Sequence, residues 1–403
     1  MAGILKVDEI SEATQNDGVV LNNTVKVRLD DNSTKTLLST SGSNTTLNNI
    51  TLGSNTIPSS SFMFRNKIIN GGMQVNQRGN STLINETSYR ACDRYHFVIT
   101  DGGYWSISQS TDSPEGLGSS YKLECTTAKS TLTNNSRLLI IQKIEGQNLQ
   151  DLKKGTADAK SVTLSFYVKT SLAGTYQVNL EDNDNIRIIG NTYTISSSEV
   201  NTWQYKTFTF PGDTTGVLDN DNMDSLALHF VLVAGTYNSS GSLPTAWKAK
   251  SNTDRGAGLT VNLAATVGNT WYLTGVQLEE GTAATPFEHR PHGLEKSLCQ
   301  RYFIKVDGRA IAYRRHDTNC ACFMTLPQCM RLKQPVLRNI TKGILSNFQN
   351  QDFGTINDNS IAASVESEMI DRGFLYIDFT TNNSGHTFIP SWEGFNFDVD
   401  AEL

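Results

Sequence analysis

The chain has 403 residues, enough for two or three domains at ordinary domain size. Only 18% of its residues are charged and 37% hydrophobic, and it is rich in Asn, Ser, Thr and Gly, which suits several small β cores joined by polar loops rather than one large core. A formal net charge of −6, with no basic run denser than Lys153-Lys154, argues against nucleic acid as a partner, and no window is apolar enough to span a membrane as a helix.

The N-terminal MAGILKVDEISEA lacks the basic start and apolar centre of a secretory signal, so synthesis in a cytoplasm without secretory export is expected. Residues 1–62 form the first segment. LKVDEI and VVLNNTVKVRL read as short strands, and SGSNTTLNNITLGSNTIPSSS follows with isolated Leu and Ile among polar residues. Such sparse apolar residues cannot cover a monomeric core. They point inward from three chains of a thin trimeric stalk, with Leu47, Ile50, Leu52 and Ile57 at the axis, or else the tract is a flexible linker.

Residues 63–293 read as strands throughout. SVTLSFYVKT alternates, with Val162, Leu164, Phe166 and Val168 on one face, and is expected to form a hairpin with TYQVNLED. WQYKTFTF runs to a Pro211-Gly212 turn, SLALHFVLVAG is a long apolar strand suited to a sheet centre, and LTVNLAAT and WYLTGVQLE complete the set. One short helix is expected over Gln147–Lys154. Short strands at this spacing predict an all-β sandwich or jelly roll. A boundary falls at Pro291-His292-Gly293. One or two helical turns near Glu295–Arg301 then lead into RYFIKV and a small β-rich tip domain, 294–403.

Three motifs carry a resemblance. RNKIINGGMQVNQRGNST opens the middle region, YRACDRYHF follows at Tyr89–Phe97, and WYLTGVQLEEG with a Pro-Phe-Glu exit closes it. In this order they resemble the jelly-roll domain of phage tail fibres and related virion appendages, which is itself similar to carbohydrate-binding modules. The resemblance covers more than half of the chain. It implies a virion protein on the tail, made in the host cytoplasm. The assembly would be a homotrimer held to other virion proteins through the N-terminus, with a distal C-terminal tip facing a host-cell surface glycan. The rivals are a capsid decoration or head fibre protein without a receptor role, and a short glycan depolymerase.

Catalytic signatures are absent: no G-x-S-x-G elbow, no H-E-x-x-H, no phosphate loop, and Gly256-Ala257-Gly258 lacks the third glycine of a nucleotide fold. Glu279 and Glu280 are adjacent on a strand and face opposite sides, so they cannot flank a glycosidic bond, and the chain is read as a non-enzyme. Cys320, Cys322 and Cys329 with His316 do not have zinc spacing, and the six cysteines are read as free thiols without a cofactor. His229 is read as a core histidine. The acidic loops around Asp182, Asp184, Asp219 and Asp221 offer hard oxygen ligands for calcium, or are ordinary Asx turns. For glycan contact, exposed aromatics on loops are the candidates: Trp247 and Tyr237 in the long loop, and Trp392 with Arg314 and Arg315 in the tip. Trp203 and Trp271 are expected in the core, and Tyr104 and Trp105 along a sheet face.

Overall fold

The structure, a computed structural model, describes residues 25–28, 34–41, 44–46, 50–52, 55–57, 64–314, 319–327, 329–331, 336–341, 344–347, 352–355, 374–380 and 390–402. The chain divides into two compact units, Met1–Phe64 and Arg65–Leu403. In the first, β1 (Val25–Arg28), β2 (Thr34–Ser41) and β3 (Asn44–Thr46) form an antiparallel sheet, and β4 (Ile50–Leu52) pairs with β5 (Asn55–Ile57) so that Ile50 lies opposite Ile57. The segment LKVDEI and Leu47 lie outside the described residues.

The second unit is a β-sandwich, as the period-two patterning requires. Its strands are β6 (Ser81–Ile84), β7 (Ser88–Tyr89), β8 (His96–Thr100), β9 (Tyr104–Ser110), β10 (Ser120–Thr127), β11 (Arg137–Glu145), β12 (Val162–Thr170), β13 (Gly174–Asp182), β14 (Arg187–Ile195), β15 (Gln204–Phe210), β16 (Asp224–Ala234), β17 (Lys248–Ala249) and β18 (Thr270–Glu280). One sheet has the order β15-β12-β18-β10-β9-β6, the other β17-β14-β13-β16-β11-β8-β7. The core lies between them. Val162, Leu164, Phe166 and Val168 of β12 all enter it, and Phe166 meets Phe230 edge-on at 5.0 Å between ring centroids and Tyr193 at 5.4 Å. Such pairs add about 0.5–1.5 kcal/mol each beyond the area they bury. The apolar strand β16 is central, between β13 and β11, as its composition predicts.

Four sequence expectations need correction. The 161–170 and 175–182 segments do not pair: β12 lies in one sheet and β13 in the other. The link between them crosses the core edge, where the Tyr176 hydroxyl donates to Leu172 O (2.8 Å) and lies 3.1 Å from Thr170 Oγ1. LTVNLAAT is not a strand. Asn262 accepts the Ala264 N–H at 3.0 Å and caps a 3-10 turn at Leu263–Ala265, a local alternative to ladder bonding. Gln147–Lys154 is not one helix but two 3-10 turns, Gly146–Asn148 and Gln150–Leu152, stopped by Lys153 at φ 50°. Tyr104 and Trp105 do not line one sheet face together: as neighbours on β9 they point to opposite sides, Trp105 fully buried and Tyr104 40% exposed.

The opening and closing motifs interlock. Asn66 Nδ2 donates to Val276 O (2.9 Å) and its Oδ1 accepts from Leu278 N (3.0 Å). Arg290 donates to Ile68 O and Asn66 O. Asn70, fully buried, ties Val75 to Asp93 through its amide. A β-carbon at Gly71 would sit 2.1 Å from Val276 O, so no larger residue fits there.

Among the described residues there are two α-helices, α1 (Thr236–Ser239) and α2 (His292–Gln300). After α2 come β19 (Phe303–Arg314), β20 (Asn319–Thr325), β21 (Val336–Thr341), β22 (Ile344–Asn347), β23 (Asp352–Thr355), β24 (Phe374–Thr380) and β25 (Pro390–Asp400), in a third sheet. This C-terminal segment belongs to the same unit as the sandwich. Arg301 donates to both Glu145 oxygens (2.9 and 2.8 Å), and Arg331 binds Ala401 O, Glu402 O and Asn222 O. Buried Arg94 pairs with Glu402 and lies 3.4 Å over the Tyr302 ring.

Candidate functional site

The strands that send Phe166, Val168, Trp271 and Leu273 into the core turn their alternate residues outward. On the outer face of the six-stranded sheet this places Tyr167 and Lys169 of β12, Tyr272 of β18, Lys122 of β10, and Trp203 and Tyr205 at the start of β15. The register sets them side by side. Tyr205 lies directly opposite Tyr167, while Lys169 is opposite Tyr272, which is in turn opposite Lys122. The Tyr167 and Tyr205 rings are 4.9 Å apart at 47°, and Trp203 meets Tyr272 edge-on at 6.1 Å. Tyr205 is 47% exposed.

Tyr167 can lie low on the sheet because of Gly275. That residue sits at a bulge in β18 with φ +61°, and a β-carbon there would come within 3.0 Å of both Tyr167 Cδ2 and Leu117 Cδ1. The turn between β9 and β10 brings Leu117 and Asp112 over the same face. Asp112 accepts from Lys169 and from Trp203 Nε1 (3.0 Å). Lys169 Nζ lies 4.5 Å over the Tyr272 ring and 5.3 Å from that of Trp203, in cation–π range. Lys122 pairs with Glu124 at 2.6 Å and lies 5.8 Å from the Tyr272 ring. The bond from Lys169, then that from Trp203, hold the Asp112 carboxyl below its usual range.

The result is a patch of four aromatic rings bordered by charged and hydroxyl side chains. Its chemistry is stacking against apolar ring faces, with acceptors at the edge. Trp203, expected in the core, is instead half-buried on this outer face; Trp271 is in the core as expected. The signal for the patch was present in the alternation, since assigning Phe166 and Trp271 inward commits Tyr167 and Tyr272 outward.

The loop residues singled out from sequence are placed elsewhere. Trp247 packs on the core edge, its Nε1 donating to Pro211 O (2.8 Å) and its ring 5.3 Å from Lys154 Nζ. Tyr237, 53% exposed on α1, accepts from Asn252 Nδ2 at 3.0 Å. In the C-terminal segment, Arg314 ends β19 opposite Cys320, and Trp392 lies in β25 opposite Ala310 and Leu345. Arg315 and His316 are outside the described residues.

Of the acidic loops, Asp182 is buried and turns inward to Lys154, whose ammonium also meets Asp213 (3.1 Å), Thr215 O (3.1 Å) and Gly216 O (3.0 Å). Asp184 accepts from Asp219 N at 2.9 Å, which joins the two loops, and Asp221 accepts from Met223 N at 2.8 Å. Among the described residues no group of three or more His, Cys, Asp or Glu side chains could hold a metal ion. His229 is buried, with Nδ1 3.5 Å from Glu181 Oε1. Cys92, Cys125 and Cys299 are buried free thiols, and Cys329 is exposed.

No protein-family model matches the chain, and no curated protein sequence does. Solved structures similar to part of it include the enzymatically active domain of bacteriophage CBA120 tailspike protein 4, at 12% identity over 54% of this chain and 22% of that one, TM-score 0.31. Others are the family 11 carbohydrate-binding module of cellulosomal cellulase Lic26A-Cel5E of Clostridium thermocellum (11% identity, 51% of this chain, 97% of that one, TM-score 0.26) and the CBM22-1 xylan-binding domain of Paenibacillus barcinonensis Xyn10C (11%, 51%, 99%, TM-score 0.25). At these identities and TM-scores the likenesses assign no family, ligand or activity to this chain. No helix among the described residues is long and apolar enough to cross a membrane.

Proposed function

We propose that this chain is a glycan-contacting virion appendage protein of a tailed phage, a tail fibre whose sandwich carries the contact surface. The observation that supports this is the exposed ring of Tyr205 against half-buried Tyr167, beside half-buried Trp203 and Tyr272, on the outer face of the sheet. Such a cluster costs solubility unless something stacks on it, and the C–H faces of sugar rings are suited to it. The three motifs that resemble virion appendage domains support a place on a particle. This differs from a site at the C-terminal tip, since the rings lie on the sandwich itself.

The role is one of binding rather than cleavage. A glycosidase acid needs a raised pKa, whereas Lys169 holds Asp112 low. Adsorption of purified full-length protein to host cells tests the reading. Tyr205→Ala should weaken adsorption roughly tenfold or more, as the loss of about 1.4 kcal/mol per site implies, with an unchanged melting temperature. Undiminished adsorption of a Tyr205→Ala/Tyr167→Ala double variant would sink it.

The assembly proposed is a homotrimer joined through residues 1–62, which also attach to other virion proteins. Three weak sites on one particle then act with avidity. Light scattering should give three times the chain mass. A monomer mass at micromolar concentration refutes the assembly while leaving the platform intact.

A further inference from the structure

Taking the glycan reading above as its premise, we propose that the platform selects uncharged, hydroxyl-rich glycans and turns away polyanionic ones. Four charged side chains border the rings, Lys169, Asp112, Lys122 and Glu124, and they form two closed pairs with no net charge. The members of each pair are not equally displayed. The lysine side chains are 12% and 27% exposed, while those of Asp112 and Glu124 are 46% and 40% exposed.

A ligand therefore meets the acidic side chains more than the lysines. Each ammonium is turned down onto aromatic rings, Lys169 between Tyr272 and Trp203 and Lys122 toward Tyr272. The Trp203 Nε1–H, the donor a ligand carboxylate would seek on that ring, is already given to Asp112. A uronate, sialate or phosphate group approaching the rings would face two exposed like charges. To gain a cation it would have to break an ion pair and a cation–π contact at once. A neutral sugar has the opposite fit: its vicinal hydroxyls donate to a carboxylate, and its apolar face takes Tyr205. Discrimination of this kind comes from repelling the wrong ligand as much as from attracting the right one.

The experiment uses full-length protein on an array of neutral glycans and of glycans bearing uronate, sialate or phosphate. Wild type should bind neutral members only, with little change between low and high salt. Asp112→Asn/Glu124→Gln, which makes the platform more positive by two charges, should gain binding to anionic members by tenfold or more, and that gain should fade with added salt. Wild-type binding to anionic members, lost on Tyr205→Ala and weakened by salt, would overturn the charge selection while leaving the platform a glycan site. Binding to no glycan of either kind, with adsorption to cells indifferent to Tyr205→Ala, would overturn the premise itself and the selection with it. If the double variant fails to fold, the wild-type array still decides between neutral and anionic ligands.

Discussion

Lys154 is an internal cation, and replacing it should test how the loop end of the sandwich is held. Its side chain is 7% exposed, and the two carboxylates it serves are more deeply buried still, Asp182 at 0% and Asp213 at 4%. The ammonium also satisfies Thr215 O and Gly216 O, which pin the 213–218 loop against the β13–β14 turn. In Lys154→Met the stem is replaced by one of similar length, so the packing under Trp247 is largely kept and the charge is lost. Asp213 keeps Arg187 (2.6 and 3.1 Å) and Asp182 keeps Asn185 N (2.9 Å), but two buried carboxylates lose their shared counter-charge. Removing one partner of such a group costs about 3–5 kcal/mol, which lowers the melting temperature by roughly 6–20 °C at about 2–4 °C per kcal/mol. Calorimetry or denaturant titration reads the effect directly. Adding Asp182→Asn to Lys154→Met should recover part of the loss, because the stranded charge is then gone. A single variant within about 1 kcal/mol of wild type would refute the reasoning and mean that the cluster is solvated in solution.

Acid should destabilise the unit through two of its histidines. Burial lowers His229 and His96 to about 4, so between pH 6.5 and 4.5 the unfolded chain takes up protons that the folded chain refuses, and stability falls with pH. Asp93 acts in the opposite sense: burial raises it to about 6, so it stabilises as pH falls through that value. Wild type should therefore melt lower at pH 5 than at pH 7, whereas His96→Phe/His229→Gln should lose that drop and leave the rise due to Asp93; an unchanged drop in the double variant would exclude the histidines. Glu402→Ala should cost about 3–5 kcal/mol by stranding Arg94, which is 1% exposed, and should loosen the C-terminal strand from the sandwich, seen as faster amide exchange in β25. Exchange and stability equal to wild type would show that the Tyr302 ring and Lys143 O, to which Arg94 also donates at 2.7 Å, suffice to hold Arg94.

The local pattern was enough to determine the class of fold. Alternation in SVTLSFYVKT and WYLTGVQLE places Phe166 and Trp271 inside because a strand's side chains can only alternate, and the long apolar run of β16 marks a strand covered on both faces. The bookend motifs announced a closed domain, and Asn66, Asn70 and Arg290 show how their side chains close it. Pairing was decided only by the tertiary structure. The short connection after Thr170 suits a hairpin, yet it crosses to the other sheet, where β13 pairs with β14 and β16 while β12 pairs with β15 and β18. Trp203 reads as core by residue type and lies on the surface by register, since it precedes a strand whose inward positions are Gln204, Lys206, Phe208 and Phe210. The candidate site was legible in pieces and not as a site. Tyr205, Tyr167 and Tyr272 sit on three strands far apart in sequence, and cross-strand neighbours are set by hydrogen-bond register, a long-range property that no local window of the chain contains. The same holds for Lys154, the last residue of an expected helix by sequence, which becomes the counter-ion of Asp182 and Asp213 only when three separate segments meet.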